Sequence, residues 1–313
     1  MYRFIYFFKF RSPPRDYKPV ILVTGCSSGI GLALASLLYN RTEYRVLVTA
    51  RIKSLGVLKQ KFAETDRFKI MPMDVGILWG GIDIIVNNAG ICYRSVLEEM
   101  SYGDELTQLE TNYHGPISLI KHNLPYMRKV GRGKIINISS VSGLLAMPTM
   151  ASYSASKFAL EGASEALWYE MKPFGINVSV IQPGFVRSNS FERTKFSVRS
   201  EISTQFDKPY TDLYKNMIPF VARAMSWGIA TPESIARLVL DVIRTQDPPL
   251  WIATAVDSEF FYYLKRFMPR RLLQPFLYSL LPNAATWSAR HSKKRTLTFW
   301  KKIKAYITRR YYD

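Results

Sequence analysis

Val20 to Gly31 reads "VILVTGCSSGIG": an apolar run, a glycine-rich turn, and the start of an apolar helical segment. Gly25, Gly29 and Gly31 permit a tight turn in which backbone approaches a pyrophosphate, and the helix N-terminus attracts that anion through its unpaired N–H groups. A glycine pattern alone is weak. Its place between a strand and a helix is what gives it weight.

Outward from this stretch the same alternation repeats. "RVLVTAR", "FKIMPMD", "IDIIVNNAG", "KIINISS" and "INVSVIQPG" are short apolar runs, separated by longer helix-like segments such as "YSASKFALEGASEALWYEM". This order predicts an α/β fold with a doubly wound parallel sheet of Rossmann type. "TPESIARLVLDVIR" carries a helix start, with Thr231 as N-cap and Pro232 at the first helical position, and Pro248 and Pro249 stop it. Residues 188–228 lack a strong period. The aromatic stretch 259–282, with Lys265, Arg266, Arg270 and Arg271 interspersed, reads as two helices closing over the sheet or as a cover for an apolar pocket. The expected organisation is an aromatic and basic arm (1–17), a nucleotide-binding domain (18–255) and a basic, aromatic extension (256–313).

A chain of 313 residues, 48% of them hydrophobic, can bury a sizeable core. Cys26 and Cys92 lack metal-ligand spacing, which excludes a structural zinc and favours a reducing compartment, hence the cytoplasm. The net charge is +19, and residues 251–313 hold 13 Lys/Arg against 3 Asp/Glu. Such an extension suits an anionic membrane surface, or is a solvated basic tail; a nucleic-acid role is the least favoured reading. "MYRFIYFFKFRSPP" is too short and too basic for a membrane span and lacks a cleavage site. It reads as an interfacial anchor or an arm that packs or stays disordered.

The second strand ends in Ala50 and Arg51, with no acid to receive a ribose 2′-OH, which favours a 2′-phosphate and hence NADP(H) over NAD(H). In "YSASK", Tyr153 and Lys157 share a helix face, and the ammonium favours the ionised phenol. The pair can move a proton to or from an alcohol oxygen.

Together "TGCSSGIG", "NNAG", "ISS" thirteen residues before a tyrosine, "YSASK" and a following "PG" resemble the short-chain dehydrogenases/reductases, strongly from Lys18 to Ser188 and more loosely to Trp251. The resemblance implies Tyr153 as acid/base, Lys157 as its partner and a holder of the nicotinamide ribose, Ser140 as the hydroxyl that polarises the substrate oxygen, and Asn112 as the residue that holds a relay water. For the cofactor it implies Gly25, Ser27, Ser28, Ile30 and Gly31 at the pyrophosphate. Asp74 and Val75 fall at the adenine, Asn88, Ala89 and Gly90 at the ribose, and Pro183, Gly184, Val186 and Ser188 at the carboxamide. It further implies a homodimer or homotetramer. The glycine loop, the "SKFALEG" helix and the long tail are similar to members acting on retinoids, steroids and other lipophilic alcohols or ketones.

One interval departs from that pattern. Only Val75–Gly81 separate Asp74 from Ile82, so the helix expected between the third and fourth strands is missing. Crossing three strand spacings while returning down the sheet needs about 22 Å, against about 26–28 Å of extended chain. An apolar strap led by Ile77, Leu78 and Trp79 would do this nearly taut. A weakly active or inactive member serving as a binding scaffold is therefore the alternative to an intact enzyme.

Overall fold

The computed structural model describes residues 17–72, 81–188 and 194–287. In chain order the elements are β1 (Val20–Val23), α1 (Gly29–Arg41), β2 (Arg45–Ala50), α2 (Leu55–Lys61), β3 (Phe68–Pro72), β4 (Ile84–Asn87), α3 (Tyr102–Leu109), α4 (Gly115–Val130), β5 (Gly133–Ile138) and α5 (Ala151–Met171). There follow β6 (Ile176–Gln182), α6 (Val198–Gln205), α7 (Thr211–Ser226), α8 (Pro232–Arg244), β7 (Trp251–Ala253), α9 (Val256–Phe267) and α10 (Arg270–Leu280). The seven strands form one sheet in the order β3-β2-β1-β4-β5-β6-β7, and every pairing is parallel. This is the doubly wound architecture that the alternation predicts.

Both faces of the sheet are covered, which is why its strands read as continuous apolar runs rather than alternating ones. On one face Leu34 and Leu38 of α1 and Ala236, Val239 and Ile243 of α8 pack over Ile21, Val46 and Ile84. On the other, Ile120 and Met127 of α4 and Met171 of α5 pack over Leu22, Ile85, Ile135 and Val178. Thr231 caps α8 as expected: its hydroxyl accepts the Ser234 N–H at 3.2 Å while the Ser234 hydroxyl accepts the Thr231 N–H at 2.9 Å. The helix ends at Arg244, however, before Pro248 and Pro249 are reached. Its last carbonyls are taken instead by Lys134 of β5, whose ammonium donates to Val242, Ile243 and Thr245. A cation at a helix C-terminus is the favourable pairing. Residues 188–228, without a clear period in the sequence, contain α6 and α7.

The departure lies between β3 and β4. These strands stand three positions apart in the sheet, as the crossover argument requires. Asp74, Val75 and the strap residues Ile77, Leu78 and Trp79 lie outside the described residues. The arrival point is described, and it is pinned without reference to the connection. The Asp83 carboxylate accepts the Val20 N–H at 2.9 Å and the Tyr17 hydroxyl at 2.7 and 2.8 Å, and Arg132 lies 3.7 Å away. The Asp83 N–H in turn donates to the Val20 carbonyl at 3.0 Å. Buried, hydrogen-bonded charge of this kind sets the register of β4 beside β1 from within the sheet.

Candidate active site

The strand order reverses between β1 and β4, the place where sheets of this kind bind ligands outside the carboxyl ends of their strands. The glycine loop leaves β1 there. Gly25 and Gly29 take φ of +70° and +56°, and the Cys26 N–H bonds the Thr49 carbonyl at 2.8 Å, which holds the loop against β2. Ser27, Ser28 and Ile30 are partly exposed along it. The Ser28 side chain makes no capping bond to α1, so it does not take up the N–H groups of that helix's first turn. At Gly31 a Cβ would stand 2.4 Å from Asn88 Nδ2 and 2.5 Å from the Gly25 carbonyl oxygen. Only a glycine lets the helix begin so close to the loop.

The "NNAG" turn closes the other wall. Asn88 donates from Nδ2 to the carbonyls of Thr24 (2.8 Å) and Gly25 (3.2 Å), while the Thr24 hydroxyl accepts the N–H groups of Asn88 and Ala89, both at 3.0 Å. Gly90 follows, exposed and beside the Asn112 Oδ1 and Lys157 Nζ atoms. Arg51 projects exposed from the end of β2, with Lys53 exposed two residues on. The cradle thus fits a dinucleotide pyrophosphate, and its adenosine end offers two cations and no carboxylate from the β2 terminus.

Four of the expected catalytic residues converge beyond Gly90. Asn112 lies in one wide helical turn, Glu110–His114, where α3 meets α4; such turns recur at functional sites. Its amide is oriented on three sides: Oδ1 accepts the Ile91 N–H (2.9 Å), and Nδ2 donates to the Ile91 carbonyl (2.9 Å) and the Ser156 hydroxyl (3.0 Å). Ser140 leaves β5 with its hydroxyl accepting the Ser142 N–H at 3.1 Å. Tyr153 and Lys157 stand on the first two turns of α5, with the ammonium 5.9 Å from the phenol ring centre and donating to the Ile138 carbonyl at 2.9 Å.

The electrostatics differ from the simple expectation for a Tyr–Lys pair. Burial, reinforced by the neighbouring Cys92 thiol, drives the Tyr153 phenol above its ordinary value, opposed by the Ser140 hydroxyl and the Arg94 guanidinium. Burial also pushes the Lys157 ammonium down to about 8, against the pull of Glu161 and Cys92. Desolvation therefore sets the direction for both groups.

Pro183, Gly184, Val186 and Ser188 form the loop after β6. Here the structure adds a residue the sequence did not reveal. Asp257, at the start of α9, accepts the Phe185 N–H at 2.6 Å, and a Cβ on Gly184 would lie 2.1 Å from its carboxylate. Three more residues border the site unannounced. Arg94 is buried and donates to Thr149 at 3.3 Å; Thr149 itself holds a φ of +66°, a strained conformation for a β-branched residue. Glu161, buried one turn after Lys157, accepts the Ser139 hydroxyl (2.6 Å) and the Gln182 amide (3.0 Å), and burial raises its carboxyl. Arg94 follows "NNAG" by four residues and Glu161 follows Lys157 by four, spacings that could have flagged them. Asp257 carries no such signal.

The profile of the family described as short chain dehydrogenase matches residues 19–197. The chain is a short-chain dehydrogenase/reductase. It is 32% identical over 235 residues to the 3-ketodihydrosphingosine reductase of Bacteroides thetaiotaomicron, covering 74% of this chain and 85% of that one. Retinol dehydrogenase 8 of Homo sapiens is 30% identical over 246 residues, covering 74% and 79%. Among solved structures, a short-chain dehydrogenase from Streptomyces avermitilis superposes with a TM-score of 0.65 at 30% identity, covering 79% of this chain and 92% of that one. The chain is accordingly an NAD(P)-dependent oxidoreductase that acts on a small-molecule substrate.

Proposed function

We propose that this short-chain dehydrogenase/reductase interconverts a primary or secondary alcohol and its carbonyl on a lipophilic substrate, with NADP(H) preferred over NAD(H). The observation that carries the reading is the convergence of Asn112, Ser140, Tyr153 and Lys157 beside the glycine cradle. When bound, the nicotinamide cofactor supplies or accepts the hydride. The chain handles the rest. Ser140 donates a hydrogen bond to the substrate oxygen and orients it. In reduction Tyr153 gives its hydroxyl proton to that oxygen, so that hydride on carbon and proton on oxygen together complete the alcohol; in oxidation the proton returns to the phenol.

The raised Tyr153 phenol favours the protonated form, which suits the donor role. Lys157, fixed by the Ile138 carbonyl, places a cation next to the phenol and within reach of the ribose, and Asn112 donates to the Ser156 hydroxyl one residue before it. Preference for a 2′-phosphate is supported by Arg51 and Lys53 at the β2 terminus. A lipophilic substrate is supported by Phe261 of α9, whose ring lies 6.2 Å from that of Phe185 in the loop after β6, and by two relatives named for retinol and for a keto-sphingoid.

The test is turnover of lipophilic ketones and alcohols with each cofactor. Tyr153→Phe is expected to lower kcat by roughly 10²–10⁴ with NADPH binding intact. Unchanged kcat would remove Tyr153 from the reaction. Arg51→Asp is expected to reverse the cofactor preference, and an unchanged ratio of the two kcat/KM values would remove Arg51 from cofactor choice.

A further inference from the structure

The helix α9 has two dissimilar sides. One is committed to the protein: Ser258 is fully buried, the Phe261 ring lies 6.2 Å from that of Phe185, and Lys265 reaches across the Phe158 ring (4.8 Å) to the Leu144 carbonyl (2.6 Å). The other carries Val256, Phe260, Tyr263 and Phe267, spaced i, i+4, i+7 and i+11 and so aligned on one stripe. All four are between 54% and 73% exposed. Tyr263 and Phe267 stack on each other, 6.0 Å apart and 8° from parallel, in contact with solvent rather than with a core. A row of large apolar side chains facing outward marks a surface that meets something other than water.

The charges around the stripe say what. Arg266 on the same helix and Arg270 and Arg271 on the first turn of α10 are exposed, against one exposed acid on α9, Glu259, and the chain as a whole carries +19. A second copy pairing through this face would bring two strongly cationic molecules and their arginines together. Aromatic residues between guanidinium groups instead match the boundary of an anionic bilayer, where rings enter the headgroup region and arginines meet phosphates. We propose that the outer stripe of α9 seats the protein on an anionic lipid surface. This deepens the lipophilic-substrate reading, on which it rests for its purpose: the helix that would touch lipid also holds the loop after β6 through Asp257. The binding itself does not depend on turnover.

The experiment is flotation of the full chain with phosphatidylcholine vesicles, with and without phosphatidylserine, alongside turnover and molecular mass in solution. The chain is expected to float with phosphatidylserine vesicles and much less with phosphatidylcholine alone. Phe260→Ser with Phe267→Ser is expected to reduce flotation by at least about tenfold with the melting temperature and NADPH binding unchanged, both positions being exposed. Arg266→Gln, Arg270→Gln and Arg271→Gln together are expected to remove the preference for phosphatidylserine. Flotation of the double variant equal to the parent's overturns the proposal, as does a double variant that shifts from dimer to monomer, which would assign the stripe to a second copy. Vesicle binding without turnover of any lipophilic substrate would leave this proposal standing and overturn the substrate reading; turnover without vesicle binding would do the reverse.

Discussion

The two halves of the sheet's carboxyl edge are built on different principles. The nucleotide half, around β1, β2 and β4, is shaped by backbone: positive φ at Gly25 and Gly29, no room for a side chain at Gly31, and Asn88 and Thr24 stitching two turns together. The other half, around α6, α7 and α9, to which we assign the substrate, is shaped by polar side chains that meet across long stretches of chain. Buried Glu99 accepts the hydroxyls of Tyr214 (2.8 Å) and Ser203, Tyr214 also accepts the Val96 N–H at 2.8 Å, and Ser95 and Ser200 share a 2.7 Å hydrogen bond. A backbone-shaped surface tolerates few residues at a few positions. A side-chain-shaped surface can be rebuilt with other partners, which is how one scaffold accepts varied substrates while the cofactor stays constant.

The difference can be broken first at Gly31. Gly31→Ala is expected to abolish measurable NADPH binding and to cost about 1–3 kcal/mol of stability, since neither the Gly25 backbone nor Asn88 can move away freely. Titration by NADPH fluorescence and a denaturant melt check both. Tyr214→Phe should act in the other half alone. It leaves the Glu99 carboxylate and the Val96 N–H short of a partner, a loss of about 1–3 kcal/mol, and it raises the substrate KM severalfold with the NADPH Kd unchanged. A parallel change in cofactor affinity would show that the halves are not separable.

Smaller in effect, Asp257→Ala tests the link between α9 and the loop after β6. Removing the acceptor of the Phe185 N–H should raise both the NADPH Kd and the substrate KM by a few-fold, measured by titration and steady-state kinetics. The last effect is one of pH. Lys157 titrates at about 8 in the folded protein, below its ordinary value near 10.4, so the unfolded chain binds more protons between those values. Its contribution to stability therefore rises as pH climbs from about 8 to 10, by about 2 kcal/mol. Lys157→Met should flatten that part of the stability profile in denaturant melts at pH 7, 8, 9 and 10; an unchanged slope would mean that the ammonium keeps its proton.

The same contrast explains what was legible beforehand. The strands, the cradle, Arg51 and the Tyr153–Lys157 pair are local facts: each follows from residues a few positions apart, through strand periodicity, glycine conformation or one turn of helix. Asp257 and Phe185 are 72 residues apart, and Tyr214 and Glu99 are 115 apart, so nothing in either neighbourhood announces the bond. Thr149 is hidden for a further reason, because a threonine gives no hint of positive φ. The helix α6 escaped the period test because its buried residues, Ser200 and Ser203, are held inside by hydrogen bonding rather than by apolarity. Even the electrostatics of the pair needed the fold, since burial reverses what the spacing of Tyr153 and Lys157 suggests.

The bond from Asp257 to the loop after β6 also sets a clock. Phe185 leaves the ribosome 72 residues ahead of its acceptor, which at ordinary synthesis speeds is roughly 4–14 s. During that interval the glycine cradle and the tyrosine helix are already made, but the loop beside them has not met its carboxylate. A chain terminated early, before residue 256, would stay in that condition permanently: a nucleotide half without its latch.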